Sequence, residues 1–169
     1  MKTAGCILIV IAALMSGAES LRRDRERAET LRSLTSSLTS LRAEIVSGFA
    51  STNEALAAVS CTLKGRTAEF YARVAERMRG LGERSFFDIW SEAVKESLGV
   101  LSEDELEAIE EVGSGLGRYD RGTVAAILDR AEKRLQVSYD LFEAKRRKEG
   151  KLRFLLPLSA AILMIVIIL

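Results

Sequence analysis

Residues 112–121 read VGSGLGRYDR, with glycines at 113, 115 and 117. Closely spaced glycines can let backbone amides wrap a phosphate, so nucleotide chemistry is the first candidate. A dinucleotide loop needs a strand before its glycines and a helix after them, and a P-loop needs Lys-Ser/Thr directly behind its last glycine. Here a helical pattern precedes the glycines, and Arg118 and Tyr119 follow Gly117. Neither fingerprint is met. The glycines are expected to form a corner where one helix ends and turns, with Asp120 capping the next.

The second candidate is the acidic run SEDELEAIEE at 102–111. Paired carboxylates can do acid/base work when their pKa values are pushed apart in a pocket. Glu103, Asp104 and Glu105 instead fall in a first helical turn, where the helix dipole favours negative charge. A solvated, dipole-matched face is expected, the remaining carboxylates being open to a basic partner. The chain has no histidine, which removes the usual general base and the commonest metal ligand together. Cys6 and Cys61 are too few and too far apart for a thiolate cage or a disulfide framework. The expectation is a protein that is not an enzyme, with no catalytic, cofactor-binding or metal-binding residue, no cofactor and no small-molecule substrate.

These residues must be positioned by one domain, because 169 residues suffice for one core and not two. Charge is distributed unevenly along the chain. Apart from Lys2, every charged residue lies between 19 and 153, and that segment carries 24 basic and 24 acidic residues. A net charge near zero argues against nucleic acid as a partner.

Residues 4–18, AGCILIVIAALMSGA, and 154–169, FLLPLSAAILMIVIIL, carry no charge. As helices they would extend about 22–24 Å, short of a hydrocarbon core of about 30 Å, and flanking cations can close the gap by snorkelling. Pro157 falls in a first turn, where little backbone bonding is lost. The N-terminal run also fits a secretory signal cleaved after Ala18, but Arg22, Arg23, Arg25 and Arg27 follow it. Before the second run stand Lys145, Arg146, Arg147, Lys148, Lys151 and Arg153. With both inner flanks basic, the positive-inside tendency predicts two transmembrane helices in the cell membrane, 19–153 cytoplasmic and both termini outside.

Between the runs the pattern is helical throughout. Leu31, Leu34, Leu38, Leu41 and Ile45 keep a 3-4-3-4 spacing through a Ser/Thr-rich stretch, so burial of five large side chains outweighs the modest propensity cost. One rod is expected to run from the first apolar segment to about Gly48. Ser51 with Glu54, Ser85 with Asp88 and Ser102 with Glu105 read as capping boxes, Leu101 and Leu106 adding a hydrophobic staple to the third. Phe70, Val74 and Met78 line a face ending at Gly80 and Gly82, and Phe86, Ile89, Trp90, Ala93 and Leu98 line another closed by Gly99. From Asp120 the pattern Val124, Leu128, Ala131, Leu135, Tyr139 and Phe142 leads to about Lys148 and into the second run, with Gly150 a soft point. The expected fold is all-α: a six-helix antiparallel bundle over 19–153, flanked by N- and C-terminal transmembrane helices at 4–18 and 154–169.

The stretch GlyLeuGlyArgTyrAspArg at 115–121, before a long helix and a terminal apolar run, resembles the LG…D-R signature of the stage III sporulation protein AB family of endospore-forming bacteria. So do the Leu-rich helix leading to AlaGluIle at 43–45, GluAlaLeu at 54–56 and Trp90-x-Glu92-Ala93. Val124 departs from the pattern, where a glutamine would be expected. The resemblance implies a fold like the cytoplasmic helical domain of the inner-membrane platform protein of type II secretion and type IV pilus systems. It implies a non-enzymatic scaffold in the secretion-like channel complex between mother cell and forespore, in the mother-cell membrane around the forespore. The implied partners are membrane lipid, a cytosolic secretion-type ATPase, other channel subunits and further copies of the chain. Glu44, Gly113, Gly117, Asp120 and Arg121 are the candidate partner-binding residues, with fold maintenance as the competing role of each. The alternative is a platform of a general secretion or pilus system; that family usually repeats the helical unit, which occurs here once.

Overall fold

In the computed structural model the backbone is described for residues 2–48, 51–79, 84–116 and 118–168, and the side chains for those residues other than 2–14, 16 and 149–168. The described residues form six α-helices and no strand: α1 (Lys2–Val46), α2 (Thr52–Ser60), α3 (Gly65–Met78), α4 (Phe86–Ser97), α5 (Glu103–Leu116) and α6 (Arg121–Ile168). The all-helical expectation holds. Residues 27–140 make one compact unit, and residues 1–26 with 141–169 make another.

In the unit of 27–140 the leucine stripe does what its spacing predicts. Leu31, Leu34, Leu38 and Leu41 are fully buried and Ile45 nearly so. The hydroxyls between them bond back to their own helix, Thr35 to the Leu31 carbonyl (3.0 Å) and Thr39 to the Thr35 carbonyl (3.1 Å). A Ser/Thr-rich sequence therefore stays helical without stranding polar groups.

Capping sets the shorter helices. The Ser51 hydroxyl accepts from the Glu54 amide (3.4 Å) and the Glu54 carboxylate from the Ser51 amide (2.9 Å). Ser85 and Asp88 repeat this exchange at 3.2 and 3.3 Å. Both boxes stand where the spacing put them. In α3 the chain enters differently, through Gly65 at φ +66°, a left-handed conformation that glycine adopts without a Cβ penalty. Gly80 and Gly82, the expected end of α3, lie outside the described residues.

Direction follows from the side-chain pairs. Arg73 meets Glu96 (3.0 Å) while Arg77 meets Glu92 (3.1 Å), so α3 and α4 run antiparallel. Arg130 meets Glu111 (2.8 Å) and Arg134 meets Glu107 (3.2 Å), so α5 and α6 do as well. Their common core holds an aromatic cluster in which Trp90 packs edge-on against Phe70 (centroids 4.8 Å) and Tyr71 (6.2 Å).

The two end helices are the longest of the described elements, 45 residues in α1 and 48 in α6. The described residues of the apolar runs, 4–18 and 154–168, lie within them as helical backbone, their side chains almost wholly outside the described set. Among the described residues no helix is long and apolar enough to cross a membrane.

Truncating the stripe at its centre measures what holds the bundle. Leu38→Ala should destabilise the full chain by about 2–5 kcal/mol, whereas Ser40→Ala on the exposed face should stay within about 0.5 kcal/mol. Denaturant unfolding in detergent, followed through the single tryptophan, reads both.

Candidate functional site

The four candidate residues that the structure describes divide between one end of the bundle and its interior. The Arg42–Asp129 ion pair (4.0 Å) brings the end of α1 beside the early turns of α6. The Thr52 hydroxyl donates to the Leu116 carbonyl (3.3 Å), joining the start of α2 to the end of α5. Glu44, on the last turn of α1, and Asp120 with Arg121, opening α6, therefore belong to the same end of the bundle. Gly117 lies outside the described residues.

Asp120 is the N-cap that its position before the apolar pattern predicts. Its Oδ1 accepts from the amides of Gly122 (2.9 Å) and Thr123 (3.2 Å), and its Oδ2 from the Thr123 hydroxyl (2.8 Å). The Thr123 hydroxyl, then the Thr123 and Gly122 amides, stabilise the carboxylate and lower its pKa. Arg121 and Tyr119 beside it are exposed. Glu44 is exposed too, and its backbone carbonyl explains Gly48: a Cβ there would stand 2.8 Å from that oxygen.

The other glycines correct the sequence reading. Gly113 and Gly115 are not in a corner; both are buried inside α5, which runs on to Leu116. Their role is close packing. The Trp90 Nε1–H donates to the Ile109 carbonyl (2.8 Å), the same carbonyl that the Gly113 amide reaches in the helical ladder. The indole lies over residue 113, and a Cβ there would collide with its Cδ1, Cγ and Nε1. At Gly115 a Cβ would meet only the tip of Ile127, at 2.6 Å from Cδ1. No glycine periodicity announces such a site, because the cause is the single tryptophan on another helix.

The acidic run is likewise not simply a solvated face. Glu105 is 2% exposed; its Oε1 accepts from Arg27 (2.8 Å) and its Oε2 from the Ser102 amide (2.8 Å). The expected box is half made, since the Glu105 amide bonds the Ser102 carbonyl (3.1 Å). Glu107 and Glu111 meet Arg134 and Arg130 of α6, and Glu110 accepts from the Ser91 hydroxyl (2.9 Å). The basic partner left open in the sequence is the protein's own last helix. A surface groove of about 460 Å³ beside these pairs includes Lys133, itself bonded to Asp129 at 2.7 Å. Among the described residues no group of carboxylates and thiols is placed to hold a metal ion.

The comparisons with known proteins agree with one another. The model of the family described as stage III sporulation protein AB matches residues 2–169. A curated relative, stage III sporulation protein AB of Bacillus subtilis (strain 168), is 25% identical over 170 residues, covering 99% of each chain. A solved structure of a stage III sporulation protein AB superposes with a TM-score of 0.64 at 24% identity, over 73% of this chain and 98% of the other, a likeness of fold.

Two outcomes test these assignments. Gly113→Ala should cost about 2–4 kcal/mol, by overpacking and loss of the indole hydrogen bond, while Gly115→Ala should cost less than about 1.5 kcal/mol; denaturant unfolding with Trp90 emission distinguishes them. Asp120 supplies a pH signature. Because its folded pKa is lowered, its contribution is present above its ordinary value of 3.8 and is lost as pH falls through the folded value. The stability advantage over Asp120→Asn, which keeps a cap, should be constant above about pH 5 and shrink below about pH 4. Unfolding midpoints across that range read it.

Proposed function

The chain belongs to the stage III sporulation protein AB family, and from that premise we propose that it is a non-enzymatic membrane platform of the mother cell–forespore channel complex. Family membership gives it a part in sporulation. The finer reading is that both uncharged runs are held in the membrane, the helical unit faces the cytoplasm, and the bundle end carrying Glu44, Asp120 and Arg121 docks a cytosolic secretion-type ATPase.

The observation that carries this reading is the pair of uncharged runs, 4–18 and 154–169, the described residues of each lying in a helix that continues into the bundle. A helix that leaves a packed core and runs on for 15 or more uncharged residues needs a non-aqueous surrounding for every face. Basic residues on both inner flanks set the cytoplasmic side.

Cys61 is exposed in the link between α2 and α3 and serves as a native probe of sidedness. In a Cys6→Ser background, a membrane-impermeant maleimide should label Cys61 only after sporulating cells are permeabilised. Labelling in intact cells would place the bundle outside and end the platform reading. For the docking face, Asp120→Ala with Arg121→Ala should abolish co-purification of the ATPase while helicity is retained. Joint loss of binding and helicity would leave those two residues a structural role only.

A further inference from the structure

The near-neutral charge of the whole chain, +1, conceals a division between its two compact units. Residues 1–26 with 141–169 carry 10 Lys and Arg against 5 Asp and Glu, a net charge of +5. Residues 27–140 carry 15 against 19, a net charge of −4. Within the first unit every cation except Lys2 lies between residues 22 and 25 or between 145 and 153, next to the uncharged runs.

The pairing within that unit leaves positive charge over. Glu19 is shared by Arg22 (3.0 Å) and Arg23 (3.4 Å), and Glu143 by Arg146 (3.3 Å) and Arg147 (3.9 Å). The five Asp and Glu of the unit can balance at most half of its ten Lys and Arg. The side chains of Arg22 and Arg23 are each 74% exposed, and that of Arg147 is 84% exposed. Exposed Arg in pairs offers forked N–H donors suited to a phosphodiester, and juxtamembrane Lys/Arg clusters are attracted to anionic leaflets. The bundle's negative charge gives it no such attraction.

We propose that the basic collar formed by Arg22, Arg23 and Arg25 together with Lys145–Lys148 recognises the phosphate headgroups of anionic glycerophospholipids. The proposal rests on the membrane reading above and adds a lipid class to it. The collar then has two roles: it sets sidedness through its charge, and it gathers acidic lipid around the platform.

The full chain in mild detergent is offered equimolar phosphatidylglycerol and phosphatidylcholine, and bound lipid is counted by native mass spectrometry. Phosphatidylglycerol should be favoured about tenfold at low ionic strength, with the preference collapsing at high salt. Arg22, Arg23, Arg146 and Arg147 all replaced by Ala should bring the ratio close to one, while replacement of all four by Lys, which keeps the charge and loses the forked donors, should retain only part of the preference. Arg32→Ala with Lys95→Ala, in the bundle, should change nothing.

Alkaline carbonate extraction of vesicles is run in parallel. A chain that resists extraction but binds both lipids equally overturns the headgroup proposal and leaves the membrane reading intact. A chain that is extracted yet prefers phosphatidylglycerol overturns the two spans and supports the headgroup site, and one that is extracted and indifferent overturns both. Displacement of phosphatidylglycerol by an oligonucleotide at equal charge concentration would make the collar a general polyanion surface and overturn the lipid assignment.

Discussion

The packing of Trp90 is the constraint on which the bundle depends. Its indole meets Phe70 and Tyr71 of α3 edge-on, lies against Phe86 in its own helix (5.7 Å) and donates to the Ile109 carbonyl of α5. One side chain thereby sets the relative positions of three helices. An aromatic of this size can be fully buried only if its N–H finds an acceptor and its ring finds room. Ile109 supplies the first and Gly113 the second.

From the same cluster a hydrogen-bonded path runs on to α1. The Ser37 hydroxyl lies 2.7 Å from the Leu34 carbonyl and 3.0 Å from the Tyr71 hydroxyl. With the Ser37 proton committed to the carbonyl, Tyr71 is the donor to Ser37. Burial pushes the Tyr71 phenol up to about 12 against the smaller opposing effect of Ser37, so it keeps that proton throughout the physiological range. A buried, hydrogen-bonded polar contact of this kind favours one register of α1 over its neighbours, which a leucine stripe alone would not do.

What could be read from the sequence was whatever a residue does with its near neighbours. The 3-4 spacing of leucines in α1, the Val124, Leu128, Ala131 and Leu135 face of α6, and the Ser51–Glu54 and Ser85–Asp88 boxes all follow from helix geometry within a few positions, and the described structure has them in place. Gly113, Gly115 and Glu105 were misread for the opposite reason. Each is determined by a residue on another helix: Trp90 lies 23 positions before Gly113, Ile127 lies 12 after Gly115, and Arg27 lies 78 before Glu105. Local chemistry gave each a sound role, turn former or dipole-matched acid, and the tertiary partner gave it another. Asp120 escaped this because its partners, Gly122 and Thr123, are two and three residues away.

The Arg27–Glu105 pair shows how such a distant contact can specify a structure without adding much to its stability. Taking the Glu105 carboxylate out of water costs several kcal/mol, roughly offset by Arg27 and the Ser102 amide, so the net gain is small. Misregistry is penalised far more. Slide α1 along the bundle by one turn, and Glu105 would be buried without its cation. The first α1 residue of the compact bundle is thus held to the first turn of α5, while Ser37 holds α1 again at Tyr71, ten residues further along. Two polar contacts about 15 Å apart along a helix fix both its translation and its rotation. The exposed Arg–Glu pairs between α3 and α4 or α5 and α6 cannot do the same work, because water replaces their partners at little cost. Rigidity in this bundle therefore resides in its few buried polar groups, and the abundant surface pairs are free to vary.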